Sequence, residues 1–386
     1  MSRFRTTNLA DLQDAIIDNR GRTCPTAESG TPLIATNCIK EDSEYPVFEK
    51  IRYVDEHTMR TWFRGHPKPN DIIFVCKGSP GRCALAPQPV GFAIAQDMVA
   101  LRPDPTQVYW RYLYYVLKLP STRSSIESLF VGTLIPHFKK GDFNKLQLRI
   151  HTDLPEQQAI AEVLGALDDK IAANRKLVTT GTELGCALTR RALATSTVAP
   201  LSELADITMG SSPKGDTYNE NGQGIVMYQG NRDFGPRFPS PRIWTTDPVR
   251  IADAGDLLLS VRAPVGELNI AGNRCCIGRG LAAIHAAHPR AMYFLISCQP
   301  EVFYSYNSDG TIFGSITKKG LEALPLTVPD TGLAPLEELL SPIEDRIEAA
   351  VRESETLAAL RDTLLPALMD GTIRVKDAQK ATEEAV

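Results

Sequence analysis

The residues best placed to do chemistry in this chain are polar and basic side chains on short turns. The chemistry they suit is hydrogen bonding to a fixed partner. The apolar run Asn70-Asp71-Ile72-Ile73-Phe74-Val75 leads directly into Lys77-Gly78-Ser79-Pro80-Gly81-Arg82. A second run, Gly255-Asp256-Leu257-Leu258-Leu259-Ser260, leads into Arg262-Ala263-Pro264-Val265-Gly266. A turn that carries Lys or Arg on the edge of a rigid strand can contact a phosphate or a base edge, and a solvated hairpin would read the same way. Gly132-Thr133 leads to Lys139, and Gly310-Thr311 leads to Lys318. Placement near such turns nominates Asn37, Lys77, Ser79, Arg82, Thr133 and Lys139 in the first half, and Asn231, Arg232, Arg262, Thr311 and Lys318 in the second.

Signals for bond-breaking chemistry are missing from the sequence. It holds no G-x-x-x-x-G-K-[ST] phosphate loop, no G-x-S-x-G elbow, and no Asn-Pro-Pro-aromatic or Asp-Pro-Pro-aromatic stretch to hold a flipped base. His285 and His288 flank two alanines beside Pro289 without an acidic neighbour, which reads as a surface turn rather than a zinc site. No catalytic residue and no metal ligand is nominated.

The elements that position these turns are duplicated. Besides the two runs above, Phe92 to Pro103 has a looser echo in Cys275 to Ala286, and the Gly-Thr turns are followed by Lys139-Lys140-Gly141 and Lys318-Lys319-Gly320. Self-similarity in fixed order means two copies of one module. Ile72 to Val75, Val90 to Ala95, Leu146 to Ile150, Ile225 to Tyr228, Leu257 to Val261 and Leu324 to Val328 read as strands, and Tyr109 to Leu119 and Ala291 to Cys298 as helices. The module is α+β, with a sheet order that the sequence does not give.

A long charged helix follows each copy. Positions 160, 164, 167, 171, 174, 178, 181, 185 and 188 alternate spacings of four and three and carry a mostly apolar seam. Adding 176 lands on 336, 340, 343, 347, 350, 354, 357, 361 and 364, a second seam in the same phase. This is the coiled-coil period, and it predicts a mutual antiparallel pair. Gly181 and Gly185 would permit close backbone approach on that seam. Asn174 either fixes its register or sits exposed on a drifting face. Met369-Asp370-Gly371 is a helix stop, and the polar residues beyond it predict a disordered tail.

Composition sets outer bounds. The 386 residues suffice for two to three domains, with an apolar fraction of 43% and a charged fraction of 23%. The chain shows neither an apolar run long enough to cross a bilayer nor a secretory h-region, and its eight cysteines lack C-x-x-C spacing. Free thiols in a cytoplasmic protein are the expectation. Net charge is -4; residues 1–150 hold 20 Lys/Arg against 15 Asp/Glu, and residues 331–386 hold 6 against 12. A chain gripping phosphates by itself would be more basic, so partners would have to supply much of that grip.

The stretch Leu154-Pro155-Glu156-Gln157-Gln158-Ala159-Ile160-Ala161 with Leu164-Gly165-Ala166-Leu167-Asp168-Asp169-Lys170-Ile171, the Gly-Thr turn before it, and the terminal Leu364-Leu365-Pro366-Ala367-Leu368-Met369-Asp370-Gly371 resemble the specificity subunit of a Type I restriction-modification enzyme. The resemblance implies two target recognition domains, here 1–152 and 198–332, separated by spacer helices at 153–197 and 333–371, with a tail at 372–386. It implies a pseudo-two-fold, non-catalytic reader of a bipartite, asymmetric double-stranded DNA target. Its partners would be two modification subunits bringing S-adenosylmethionine, and restriction subunits. Gln157, Gln158, Asp169, Lys170, Asp345 and Arg346 become candidates for the partner-facing surface. A specificity module of another methylation-based phage-defence system, or of a stand-alone methylase, is the alternative.

Overall fold

The structure, a computed structural model, describes residues 3–19, 21, 23–130, 136–307 and 314–385. The chain divides into two compact units: Met1–Ala172 with Glu355–Val386, and 173–354.

In the first unit the strands are β1 (Phe4–Asn8), β2 (Gln13–Ile17), β3 (Thr31–Ile34), β4 (Arg52–Val54), β5 (Ile72–Val75), β6 (Cys83–Leu85), β7 (Ala93–Ile94), β8 (Met98–Pro103) and β9 (Gln147–His151). The helices are α1 (Glu56–Thr61), α2 (Trp110–Lys118), α3 (Pro120–Ser128) and the start of α4 (Leu154–Ala192). The main sheet has the order β2-β8-β5-β6, a small sheet β4-β3-β7, and β1 pairs antiparallel with β9. β5 is wholly buried because both of its faces are covered. Ile72 and Phe74 point into the core that holds α2 and the long helices, while Ile73 and Val75 point into a smaller core shared with Ile34 and Ile94 of the small sheet. Side chains alternate across a strand, so one apolar run serves two cores.

The second unit repeats this plan with β10 (Ser196–Pro200), β11 (Ala205–Met209), β12 (Tyr218–Asn219), β13 (Ile225–Tyr228), β14 (Ile243–Thr245), β15 (Ile251–Ala252), β16 (Leu257–Ser260), β17 (Leu268–Ile270), β18 (Cys275–Ile277), β19 (Leu281–Ala286) and β20 (Pro325–Pro329). Its helices include α5 (Leu201–Leu204), α6 (Pro289–Ser297), α7 (Tyr304–Asn307), α8 (Lys318–Glu322) and the start of α9 (Ala334–Asp370). The main sheet is β11-β19-β16-β17, and β10 pairs with β20 as β1 does with β9. The small sheet has grown to five strands, β12-β14-β13-β18-β15. β16 splits its side chains as β5 does, with Leu257 and Leu259 in the helix-covered core and Leu258 in the other.

All nine seam positions of α4 and all nine of α9 are buried or half-buried. Within the first unit Asp168 of α4 meets Arg361 of α9 at 2.6 Å. Within the second, Asn174 donates to Glu353 at 2.7 Å, and Gly181 faces Ile347. Numbers rise on one helix as they fall on the other, so the pair is antiparallel. Asn174 is buried and bonded across the seam, the register-fixing alternative of the two. Gly185 differs from expectation: an added Cβ there would meet Phe294 of α6, so this glycine admits the module rather than the partner helix.

The stop at Gly371 holds, with φ of +80° beyond the last turn of α9. The disordered tail does not. Val375–Ala385 is a helix, α10, because its sparse apolar face is still usable: Ala378 is fully buried in the first unit's core, with Ile373 and Val375 packed beside it. Reading that segment by average polarity missed the one stripe that matters.

Candidate functional site

Three segments meet at the same end of the main sheet in each unit, held by backbone hydrogen bonds that repeat one for one. In the first unit Cys76 N–H donates to the Asp97 carbonyl (2.7 Å), Phe138 N–H to Cys76 (2.8 Å), Gly78 N–H to Pro136 (3.1 Å) and Gly81 N–H to Val75 (3.0 Å). In the second, Val261 donates to Gly280 (2.9 Å), Ile316 to Val261 (3.1 Å), Ala263 to Gly314 (2.9 Å) and Gly266 to Ser260 (3.0 Å). The basic turn, the segment after the Gly-Thr turn, and the turn entering the long strand β8 or β19 therefore form one constellation, built twice. Gly81 and Gly266 have φ of +93° and +98°, which closes the basic turn so tightly that a side chain would be strained there.

Lys77 and Ser79 are exposed on this turn, and Lys77 bridges to His137 through the backbone. Arg262 is exposed on its counterpart and bridges in the same way to Ser315. Arg82 is only half exposed: its Nη2 donates to the Thr36 carbonyl at 3.3 Å, which brings it beside Asn37. Asn37 in turn donates to the Glu49 carbonyl at 2.6 Å. The position equivalent to Arg82 is Glu267, which accepts from Asn231 at 2.8 Å. A basic residue at this position in one copy is thus an acidic residue in the other. The Lys139 backbone starts the turn of residues 140–144 by donating to Asp142 at 2.7 Å, and its side chain is exposed. Lys318 opens α8 and reaches Glu322 at 3.5 Å. Thr133 and Thr311 lie outside the described residues.

In the second unit the constellation borders a cleft of about 690 Å³ whose lining includes Asn231, Arg232 and Arg262 together with Arg242 and Arg279. Arg242 is held by Asp233 at 2.7 Å. Arg232 and Arg262 have no carboxylate partner among the described residues. Arg242 follows Pro239-Ser240-Pro241 and Arg279 lies between Gly278 and Gly280, but neither belongs to the duplicated basic turns from which the candidates were nominated.

The nominated partner-facing residues separate into two sets. Gln157 is a correction: it is fully buried, its Oε1 accepting from the Tyr109 N–H and its Nε2 donating to the His151 carbonyl, both at 2.8 Å. It locks α4 to its own module and presents nothing outward. Gln158, Asp169, Asp345 and Arg346 are exposed, and Lys170 is half exposed. Asp169 pairs with Arg111 of α2 and Asp345 with Arg290 of α6, so the duplication extends to the ion pair that ties each long helix to the module before it. Glu44 also holds Arg111, at 2.7 Å, and burial pushes its carboxyl up despite that partner.

His285 does have an acidic partner, contrary to expectation. Its Nδ1 lies 2.8 Å from Asp256, as Arg102 lies 2.8 Å from the equivalent Asp71. Hydrogen bonding to Asp256 raises the His285 pKa. Among the described residues no group of three or more His, Cys, Asp or Glu could hold a metal ion, and no helix is long and apolar enough to cross a membrane.

A duplicated α+β module carrying paired polar turns, with a long helix after each copy, defines a two-domain recognition protein. Residues 24–179 match the family model of the Type I restriction modification DNA specificity domain. Over 317 residues, 72% of each chain, the protein is 28% identical to a Methanocaldococcus jannaschii protein named as the specificity subunit of type I restriction enzyme MjaX. A type I specificity subunit of Mycoplasma genitalium is 32% identical over 116 residues, covering 28% of this chain and 29% of that one. The fold is shared with the crystal structure of a Type-I restriction-modification S subunit from M. genitalium, with a TM-score of 0.60 at 16% identity over 95% of this chain and 96% of that one. Residues 24–179 thus resemble a Type I restriction modification DNA specificity domain, and the longer chain is similar to type I specificity subunits.

Proposed function

We propose that this chain is the DNA-reading subunit of a Type I restriction-modification enzyme, and that each unit reads one half of an interrupted, asymmetric target. The observation that carries the reading is the repeated constellation: the same backbone frame is built twice, and different side chains are mounted on it. Equal frames dock alike on a duplex, and unequal side chains select different bases. The recognition domains correspond to 1–152 and 198–332, with the helices at 153–197 and 333–371 as spacers. Asn37, Lys77, Ser79, Arg82, Thr133 and Lys139 serve one half-site, and Asn231, Arg232, Arg262, Thr311 and Lys318 the other.

The chain performs no bond chemistry of its own. Two modification subunits bring S-adenosylmethionine and dock on helix faces that include Gln158, Asp169, Lys170, Asp345 and Arg346; restriction subunits join that assembly in the cytoplasm. The net charge of -4 fits a reader whose partners supply most of the phosphate grip. The test is the methylome of cells carrying this chain with its modification partner. One interrupted motif with two dissimilar halves is expected; an uninterrupted motif, or methylation by this chain alone, overturns the reading.

A further inference from the structure

We infer that Arg279 in the second unit and Gln96 in the first are base-reading residues on an equivalent turn, and that the difference between them is one source of the target's asymmetry. The inference rests on the DNA-reading function proposed above, and it assigns two residues outside the duplicated basic turns.

Their equivalence follows from register. In the small sheets Ile34 pairs in parallel with Ile94, and Tyr228 with Ile277. Two residues beyond each of these strands come Gln96 and Arg279. The next residue in each copy, Asp97 or Gly280, accepts the hydrogen bond from the end of the central strand, at Cys76 or Val261. Each side chain therefore leaves the fold beside the basic turn that begins at Lys77 or Arg262.

Arg279 is exposed, lines the cleft of the second unit and is oriented from behind. Its Nε donates to Ser212 Oγ at 3.2 Å, and Gln229 Nε2 donates to the same oxygen at 2.7 Å. Both Nη atoms stay free among the described residues. An arginine held by Nε presents an end-on fork, the shape that meets guanine O6 and N7 in a major groove. The cleft also suits an acceptor-rich ligand. Four arginines line it, and the lone carboxylate among its lining residues, Asp233, is taken by Arg242. This basic cluster stands in residues 201–330, which hold 11 Lys/Arg against 13 Asp/Glu. The local charge is thus opposite to that of the surrounding stretch.

Gln96 carries a different mark. Its φ is +48°, one of three non-glycine residues with positive φ among the described residues. Such a conformation costs on the order of 1 kcal/mol or more and is tolerated where the surroundings enforce it, often at functional positions. A glutamine amide at this place matches adenine N6 and N7, as the Arg279 fork matches guanine.

The experiment is methylome sequencing of cells that express the full chain with its modification partner, as parent, Arg279→Gln, Arg279→Ala and Gln96→Gly. Glycine at position 96 removes the side chain and relieves the backbone, and thermal melting of each purified complex checks that it assembles. The expected result is that each Arg279 variant relaxes or changes one position of one half-site, with roughly 5- to 150-fold less discrimination there. Gln96→Gly does the same in the other half, and the gap is unchanged. An unchanged motif at parent efficiency in assembled variants overturns the assignment while the parent's interrupted motif stands. Uniformly weaker methylation of the parent motif makes these residues phosphate anchors and also overturns it. A parent motif without two halves is the separate failure of the function itself.

Discussion

Arg237 and Glu344 form a fully buried ion pair in the second unit, with Nε donating to Oε1 at 2.6 Å and the guanidinium 4.1 Å from the centre of the Tyr293 ring. In the first copy the residue matching Glu344 is Asp168, which is held instead by Tyr115 and Arg361. One duplicated carboxylate has therefore acquired two unrelated solutions to the same problem of being buried. Removing one partner strands the other charge in the core, so Arg237→Met or Glu344→Leu alone is expected to cost about 3–5 kcal/mol, and the double substitution to recover most of that loss. Urea denaturation of the three variants measures it. Single substitutions within about 1 kcal/mol of the parent would show that water reaches the pair.

The two seam glycines are expected to respond unequally to alanine. At Gly185 the new Cβ would lie 2.2 Å from Phe294 Cε1, whereas at Gly181 its nearest neighbour is Ile347 Cγ1 at 3.0 Å. Overpacking of the first kind costs about 1–3 kcal/mol, and the helix-propensity gain of about 1 kcal/mol offsets a mild clash more fully than a severe one. Gly185→Ala should melt at a lower temperature than Gly181→Ala in thermal unfolding. The reverse order would mean that α6 yields more readily than the long helices do.

Stability should decline on mild acidification through His151. The ring is buried, its Nδ1 lies 2.9 Å from the Tyr112 hydroxyl, and that hydroxyl accepts from the His151 backbone N–H at 3.0 Å. Burial lowers the ring's pKa below its ordinary 6.5. The folded state therefore prefers the neutral form, while the unfolded chain takes up a proton as pH drops past about 6.5. The contribution is complete above that value and is lost as pH falls toward the lower folded value. His151→Gln should shrink the difference in urea midpoint between about pH 7 and pH 5. An unaltered difference would place the acid sensitivity elsewhere.

If the antiparallel helices set the gap in the target, inserting one heptad after Ala172 and another after Ser354 preserves the seam's phase while lengthening each helix by about 10 Å. DNA rises about 3.4 Å per base pair. Methylome sequencing should then show the unspecified gap longer by about three base pairs, with both half-sites intact. Altered half-sites over an unchanged gap would remove the helices from that role.

What could be read from the sequence was periodicity and repetition. The seam spacing located both long helices, although the spacer expected at 153–197 is helical only over Leu154–Ala192, and buried runs such as Ile72–Val75 and Leu257–Ser260 were evident because both of their faces are covered. Side-chain partnership was not readable. Gln157 looked like a surface residue because glutamine usually is one, and only the Tyr109 N–H and the His151 carbonyl explain its burial. Arg279 lies in an echo too loose to single out, since the register that aligns it with Gln96 is set by hydrogen bonds between strands distant in sequence. α10 was missed because a few small apolar contacts near Ala378 anchor a helix whose composition is otherwise that of a solvated tail.

The division of the chain into units has a consequence for how it is made. The second unit is one continuous stretch, 173–354, but the first also needs residues 355–386. Leu357, Leu364, Leu365, Leu368 and Ala378 complete the first unit's core, and they are translated after the whole of the second unit. Domains ordinarily fold in the order in which they are synthesised. Here the module translated first is completed only after the second has been made, and it waits with an open hydrophobic flank until residues 355–386 follow.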